Sequence, residues 1–179
     1  WFATNAIPDD ITNGNVNDVY VGVALSAKAG KETERIKADA VSGIVGLWID
    51  IDYQPLDAES NERAHQKSTN PTSAVQALDI IAAFPMTPTY IVHSGHGYQC
   101  WWLFEEAWLF DTPAERDEAA SLSRRWTATL RATAKEFGVT LDGVMDLARV
   151  LRLPGTLNTK IPHKPEPVTV HEETGIRYN

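Results

Sequence analysis

Apolar and polar residues alternate most clearly at the end of an apolar run that starts near Ile44 and finishes with Ile49-Asp50-Ile51-Asp52. Because side chains of a β-strand alternate between its two faces, the pattern predicts a strand with both isoleucines in the core and both aspartates on the opposite face. The two carboxylates would lie about 6.5–7 Å apart along the strand. Away from water such a pair is unfavourable unless a cation neutralises it. The alternative is a strand that simply ends in solvent.

Two further strands are predicted on either side of Gly95-His96-Gly97, because β-rich runs occupy residues 89–94 and 98–104. Glycines flanking a single residue indicate a tight hairpin with unusual backbone angles. An apolar run at residues 20–25 predicts one more buried strand near the start of the chain.

Helical spacing predicts two helices. Asn70-Pro71 supplies an N-cap and a proline for the first, with Val75 on its apolar face. The second begins with the capping box Thr112-Pro113-Ala114-Glu115 and ends at Gly138. Strands interleaved with helices predict an α/β (α+β) domain with a mixed sheet.

The chain has 179 residues, which fits a single domain over residues 1–179. Its first residue is Trp1, so we expect it to be a fragment of a longer protein. No apolar run approaches the roughly 20 residues of a membrane span, so no membrane association is expected. The single cysteine, Cys100, fits a reducing cytoplasm.

The charge is unevenly distributed. The net charge of −8 argues against a protein that coats nucleic acid by bulk electrostatics. One segment, from Leu147 to Pro165, nevertheless carries four basic residues and no acidic one. We interpret this segment as a local site for an anion.

The paired aspartates, the glycine-flanked hairpin and the basic segment have one chemistry in common. Phosphoryl and nucleotidyl transfer needs carboxylates for divalent ions, and backbone amides, lysines and arginines for the phosphates. Carboxylate oxygens select Mg²⁺ or Mn²⁺ over metals that prefer softer ligands. Each feature alone is common in proteins, so only their joint presence indicates this chemistry.

Three segments, Trp48–Asp52, Ser94–Trp102 and Asp146–Lys160, resemble motifs of the archaeo-eukaryotic primase superfamily, in particular of the primase-polymerases of phages and plasmids. The resemblance runs from about Val19 to Val170. It implies a two-lobed catalytic domain with an RRM-like sheet that synthesises DNA or RNA from nucleoside triphosphates on a template.

The resemblance also implies roles for individual residues. Asp50 and Asp52 match the first metal-binding motif, and Asp146 matches the third, with Asp142 as its rival; together they would hold two Mg²⁺ or Mn²⁺ ions. The residues expected to contact the triphosphate or template are Ser94, Gln99, Arg149, Arg152, Asn158 and Lys160.

One position departs from the family pattern. Gln99 stands where the family usually has a histidine that contacts the phosphates, and His96 lies three residues earlier in the turn. Glutamine can donate a hydrogen bond to a phosphate but cannot carry a positive charge. The departure therefore puts the strength of triphosphate binding in question, and His96 is the alternative contact.

The expected partners are single-stranded DNA as template, nucleoside triphosphates, and a helicase or primase C-terminal domain in the same longer replication protein. The expected compartment is the cytoplasm of a bacterial host, with phage DNA replication as the setting.

Three other classes of protein share part of this pattern. A glycosyltransferase would need a glycine-rich nucleotide turn before Asp50, which the sequence lacks. A rolling-circle nuclease needs two histidines flanking one hydrophobic residue, and His93 and His96 have the wrong spacing. A non-catalytic RRM-like domain could stack nucleic-acid bases on Tyr98 or Trp101, but it leaves the paired aspartates unexplained.

Overall fold

The centre of the molecule is a five-stranded antiparallel sheet. The structure is a computed structural model that describes residues 16–27, 35–54, 69–141 and 146–179. Its strands are β1 (Tyr20–Gly22), β2 (Ala24–Ser26), β3 (Val41–Asp52), β4 (Tyr90–His93), β5 (Gly97–Leu109), β6 (Val150–Arg152), β7 (Leu157–Asn158), β8 (Glu166–Pro167) and β9 (Thr169–Glu173). Its helices are α1 (Ala74–Ala82), α2 (Pro113–Glu136) and a short 3₁₀ turn at Ala38–Ala40.

The central sheet has the strand order β2-β3-β5-β4-β9, and two-stranded sheets join β1 to β6 and β7 to β8. The prediction of a mixed sheet is wrong for the described strands, since all of these pairs are antiparallel. β3 and β4 do run in the same direction, with α1 in the connection between them. β5 is inserted between them, however, so neither has a parallel neighbour.

The alternation predicted for β3 is confirmed. Ile49 and Ile51 lie in the larger core cluster, where the sheet packs against both helices. Trp48, on the other face, belongs to a second cluster with Leu147 and Leu151. Fully burying an isoleucine side chain contributes roughly 1.5–3 kcal/mol, so the register of β3 is strongly specified and both aspartates are kept off the face that carries Ile49 and Ile51.

The two predicted helices are present, but the first begins later than expected. Ser73 caps α1, its Oγ accepting a hydrogen bond from the backbone N–H of Gln76 at 3.2 Å. The placement of Val75 on the apolar face is wrong, since it is 68% exposed. The buried residues of α1 are Ala77, Ile80 and Ile81. Helix α2 has the predicted capping box.

The prediction of one buried strand at residues 20–25 is wrong. The run is split at Val23, so that β1 pairs with β6 and β2 pairs with β3. Tyr20 and Val21 are exposed as a result. In the part of the chain that the structure describes, no helix has both the length and the apolar character needed to cross a bilayer.

Candidate active site

The paired aspartates lie at the end of β3 next to the hairpin. Asp50 is opposite Gln99 and Asp52 is opposite Gly97 in the β3–β5 pairing. A Cβ atom at Gly97 would lie 2.7 Å from the Ile51 carbonyl oxygen and 2.8 Å from Asp52 Oδ1. The position therefore needs a glycine, because any side chain there would displace the Asp52 carboxylate.

The electrostatic environment of Asp50 is unfavourable to its charge. Burial, followed by repulsion from Asp52, raises the pKa of Asp50 to about 6, although Arg149 and Gln99 act in the opposite direction. The Arg149 guanidinium donates to Asp50 Oδ2 at 3.3 Å. The other oxygen, Oδ1, is buried and accepts no hydrogen bond from the described residues. An ionised carboxylate with one buried oxygen unsatisfied is costly unless a cation approaches it.

The residues present fit a divalent ion. Mg²⁺ is commonly bound by one or two carboxylates together with substrate phosphates and water, and Asp50 and Asp52 offer carboxylate oxygens on one face of one strand. Among the described residues, no three acidic, histidine or cysteine side chains come together as a metal site. The described part of the chain thus offers a two-carboxylate site.

The predicted third ligand, Asp146, is not among the residues that line the cavities beside Asp50 and Asp52. Asp146 accepts a hydrogen bond from Arg35 at 3.1 Å, and its side chain is 37% exposed. Its rival, Asp142, lies outside the described residues. The assignment of a third ligand stays a prediction.

The basic segment forms the opposite side of the cleft through β6 and the residues after it. The backbone N–H of Arg152 donates to Gln99 Oε1 at 3.0 Å. Gln99 is thus in contact with the basic segment and faces Asp50 across the β3–β5 pairing. A contact between Gln99 and the phosphates stays a prediction.

Asn158 connects the basic segment to the hairpin turn. Its Nδ2 donates to the Ser94 carbonyl oxygen at 2.6 Å, and its Oδ1 accepts from the Lys160 N–H at 3.0 Å. Ser94 Oγ in turn donates to the Gly97 carbonyl oxygen at 3.1 Å. In the hairpin turn Gly95 has a φ of 95°, as the glycine pattern predicted. Both ends of the Asn158 amide are therefore hydrogen-bonded to backbone groups. This side chain links the hairpin turn to the basic segment.

These elements enclose a cleft of about 230 Å³. Most predicted site residues line it, together with Tyr20 and Val150; the predicted ones are Asp50, Asp52, Ser94, His96, Gln99, Arg149, Arg152, Asn158 and Lys160. The same aspartates also border a second cavity of about 130 Å³, whose lining includes Thr127 and Leu141. The structure thus brings the predicted acidic and basic residues into one place, without Asp146.

Two functionally placed residues were not predicted from the sequence. Asp18 accepts a hydrogen bond from the Arg152 guanidinium, NH1 to Oδ1, at 2.6 Å. The Tyr20 ring lies over the same guanidinium, with 4.8 Å from its centroid to Cζ. The apolar run at residues 20–25 predicts Tyr20 as part of a buried strand, and no local motif marks Asp18, because its partners are more than 130 positions away in sequence.

The structure does not place the residues in question as a rolling-circle nuclease or an RRM-like binding domain would need them. His93 Nε2 is 2.8 Å from the Tyr53 hydroxyl and shares a sheet face with Tyr98, whereas His96 lines the cleft. The two histidines are therefore not arranged as a pair. Tyr98 is only 5% exposed and lies in the larger core cluster, so it offers no ring for base stacking.

Comparison with solved structures identifies the class of fold. No protein-family model matches this chain, and neither does any curated protein sequence. The fold is that of an archaeo-eukaryotic primase domain, as the resemblance implied. One similar structure is the AEP domain of the primase-polymerase of cyanophage S-2L, at 15% sequence identity and a TM-score of 0.51. The match covers 80% of this chain and 60% of that one.

Proposed function

We propose that this chain is the catalytic domain of a primase-polymerase, a nucleotidyltransferase that joins nucleotides on a DNA template. The observation that carries the proposal is the cleft, where Asp50 and Asp52 face Arg149 and Arg152. The fold of an archaeo-eukaryotic primase supports it. A two-lobed architecture with an RRM-like sheet is part of the same proposal.

In this reaction a 3′-hydroxyl oxygen attacks the α-phosphorus of a nucleoside triphosphate. The new O–P bond forms as the bond to the β-phosphate oxygen breaks, pyrophosphate leaves, and the hydroxyl loses its proton. Positioning and charge neutralisation dominate catalysis of such transfers. Mg²⁺ or Mn²⁺ held by Asp50 and Asp52 would stabilise the attacking and leaving oxygens.

The basic side of the cleft supplies the positive charge for the triphosphate. Arg149 and Arg152 can donate charge-assisted hydrogen bonds to phosphate oxygens, which are stronger than neutral ones. Arg149 is bonded to Asp50, so it stands at the junction between the metal-binding carboxylates and the anion site. Lys160 carries a third positive charge into the lining of the same cleft.

The proposed partners follow from this reaction. They are single-stranded DNA as template and nucleoside triphosphates as substrates, with a helicase or primase C-terminal domain elsewhere in a longer replication protein. The proposed setting is phage DNA replication in a bacterial cytoplasm.

A primer-free synthesis assay tests the proposal. Single-stranded DNA would be incubated with ribo- or deoxyribonucleoside triphosphates and Mg²⁺ or Mn²⁺, and products would be resolved by length. We expect products from the native chain and none from Asp50→Asn or Asp52→Asn. Asp39→Asn is the matched control, because it makes the same charge change at an exposed residue of the 3₁₀ turn.

The main rival gives a different result in the same experiment. A non-catalytic binding domain would bind single-stranded DNA without forming products, and the two aspartate variants would bind as well as the native chain or better, since a negative charge near the phosphates is removed. That combination would reject the enzyme assignment.

A further inference from the structure

Arg152 is held from two directions by residues of the N-terminal segment. Asp18 Oδ1 accepts from its NH1 at 2.6 Å, and the Tyr20 ring covers the guanidinium at 4.8 Å. The β1–β6 pairing places Tyr20 directly opposite Arg152. With these contacts the Arg152 side chain is only 12% exposed, although it lines the cleft.

Asp18 also reaches the far end of the basic segment. Its Oδ2 accepts a short hydrogen bond from the Thr159 hydroxyl, and its Oδ1 accepts one from the Thr159 N–H at 3.3 Å. Burial acts to raise the pKa of Asp18, but the hydrogen bonds from Thr159 and Arg152 outweigh it and lower the pKa. One carboxylate thus connects Arg152 with the residue next to Lys160.

The backbone at Asp18 indicates that this arrangement is specific. Asp18 is the only non-glycine residue of the described segments with a positive φ, at 52°. Such a conformation costs about 1 kcal/mol or more and persists where surrounding contacts enforce it. Here the Asp18 N–H donates to the Leu157 carbonyl oxygen at 2.8 Å, so the residue is fixed by backbone and side chain together.

We propose that Asp18, with Tyr20, is a positioning residue for Arg152: it fixes the guanidinium in the wall of the cleft, so that the anion-binding side is formed before a triphosphate arrives. This inference rests on the proposed function. Asp18 accepts from one guanidinium nitrogen of Arg152 and the Tyr20 ring covers one face of the guanidinium, while Arg152 lines the cleft. Less side-chain entropy is therefore lost on binding the phosphate. Asp18 acts through Arg152 and touches no substrate.

The test is a double-mutant cycle read by equilibrium binding of ATP and of dATP in Mn²⁺, without template. Asp18→Gly removes the carboxylate and suits the positive φ, whereas Asp18→Asn keeps an acceptor and tolerates the same backbone. We expect Asp18→Gly to raise Kd about 5–20-fold and Asp18→Asn about 2–5-fold. In an Arg152→Ala background, Asp18→Gly should change Kd by no more than about twofold, the share that acts through Thr159.

Three controls distinguish the positioning of Arg152 from a general loosening of the cleft. Val21→Ala perturbs the same strand without touching Asp18 or Arg152, and should leave Kd unchanged. Tyr20→Ala, which removes the ring from the Arg152 guanidinium, should bind about 2–5-fold more weakly. Mn²⁺ binding without nucleotide should be preserved in every variant, which shows that the acidic side of the cleft remains folded.

Other results would contradict the role proposed for Asp18. If Arg152→Ala weakens binding but Asp18→Gly does not, or if Asp18→Gly has the same effect in both backgrounds, the positioning role is wrong while the proposed function stands. If Arg152→Ala leaves Kd unchanged, the role of Arg152 in the proposed function fails, and the inference about Asp18 fails with it. Loss of Mn²⁺ binding in Asp18→Gly would mean that Asp18 supports the whole cleft instead of Arg152.

Discussion

The two sides of the cleft are built in different ways. The acidic side stands on β3 and β5, strands of 12 and 13 residues in the middle of the central sheet. The basic side stands on β1, β6, β7 and β8, which have two or three residues each. Hydrogen bonds between neighbouring strands and core packing fix the acidic side. Side-chain hydrogen bonds from Asp18, Gln99 and Asn158 fix the basic side. The carboxylates are thus placed by backbone structure, and the arginines by other side chains.

The largest effect is expected on the acidic side. Asp50→Asn and Asp52→Asn should each lower nucleotide incorporation by more than about 100-fold, since losing even the partners of metal ligands commonly costs 10–100-fold. Asp146→Asn and Asp142→Asn, assayed beside them in saturating Mn²⁺, identify the third ligand as the one with an equal loss. Near-normal incorporation by Asp50→Asn would remove the metal assignment.

The substitution Asp50→Asn should also stabilise the folded protein when no metal is bound. The pKa of Asp50 is raised from 3.8 to about 6, chiefly by burial and then by Asp52. The folded state therefore holds the proton more tightly than the unfolded chain, and this group's contribution to stability is lost as pH rises from about 4 to about 6. In EDTA at pH 7.5, Asp50→Asn should raise the free energy of unfolding by about 1–3 kcal/mol.

The pH dependence provides the control for this stabilisation. At pH 4 the Asp50 carboxyl is protonated in the folded state and only partly ionised in the unfolded chain, because this pH lies close to the unfolded pKa of 3.8. The advantage of Asp50→Asn over the native chain should therefore be much smaller at pH 4 than at pH 7.5. Denaturant unfolding at the two pH values measures the difference. An advantage that is equal at both would show that the repulsion in this part of the sheet is not the cause.

Gly97 tests how closely the acidic side depends on backbone geometry. Gly97→Ala should weaken Mn²⁺ binding about tenfold, because its Cβ would push against Asp52 Oδ1 and the Ile51 carbonyl oxygen. Gly138→Ala is a control for the loss of a glycine in general, since nothing lies within 4 Å of a Cβ there and only its φ of 73° is unfavourable. Equal Mn²⁺ affinity in both variants would count against the steric argument.

Arg149 is where the two sides meet, and its substitution should act on them in opposite directions. Arg149→Gln removes a positive charge 3.3 Å from Asp50 Oδ2, so Mn²⁺ should bind about 3–10-fold more tightly in the absence of nucleotide, as expected for a partly exposed ion pair of about 1 kcal/mol. Triphosphate binding should become weaker.

Arg152→Gln is the matched control for Arg149. It makes the same charge change at a residue that pairs with Asp18 instead of Asp50, so Mn²⁺ affinity should hardly change while triphosphate binding weakens. If both variants tighten Mn²⁺ binding equally, the effect is one of overall charge, and the ion pair between Arg149 and Asp50 has no special part in it.

The sequence predicts the strands of the acidic side better than those of the basic side, for a physical reason. Alternation in β3, the turn at Gly95 and the capping box at Thr112 are local patterns that neighbouring residues settle. The division of residues 20–25 between two sheets depends instead on Leu151, the partner of Val21, far along the chain. The role of Asp18 likewise exists only once Arg152 and Thr159 are brought to it.

The first helix shows the same limit on a smaller scale. Asn70-Pro71 is a good local start signal, yet the Pro71 carbonyl oxygen accepts from the Gln54 N–H at 2.8 Å. That long-range bond holds the segment in the connection after β3, and Ser73 becomes the cap. A locally adequate signal is overridden by a tertiary contact.

The division of the chain at Val23 has a mechanical consequence. β1 belongs to the sheet that carries Arg152 and β2 to the sheet that carries Asp50, and a single buried residue separates them. One residue spans at most about 3.6 Å, so at this seam the two sheets cannot slide apart. A change in the width of the cleft would therefore leave the two sheets joined at Val23.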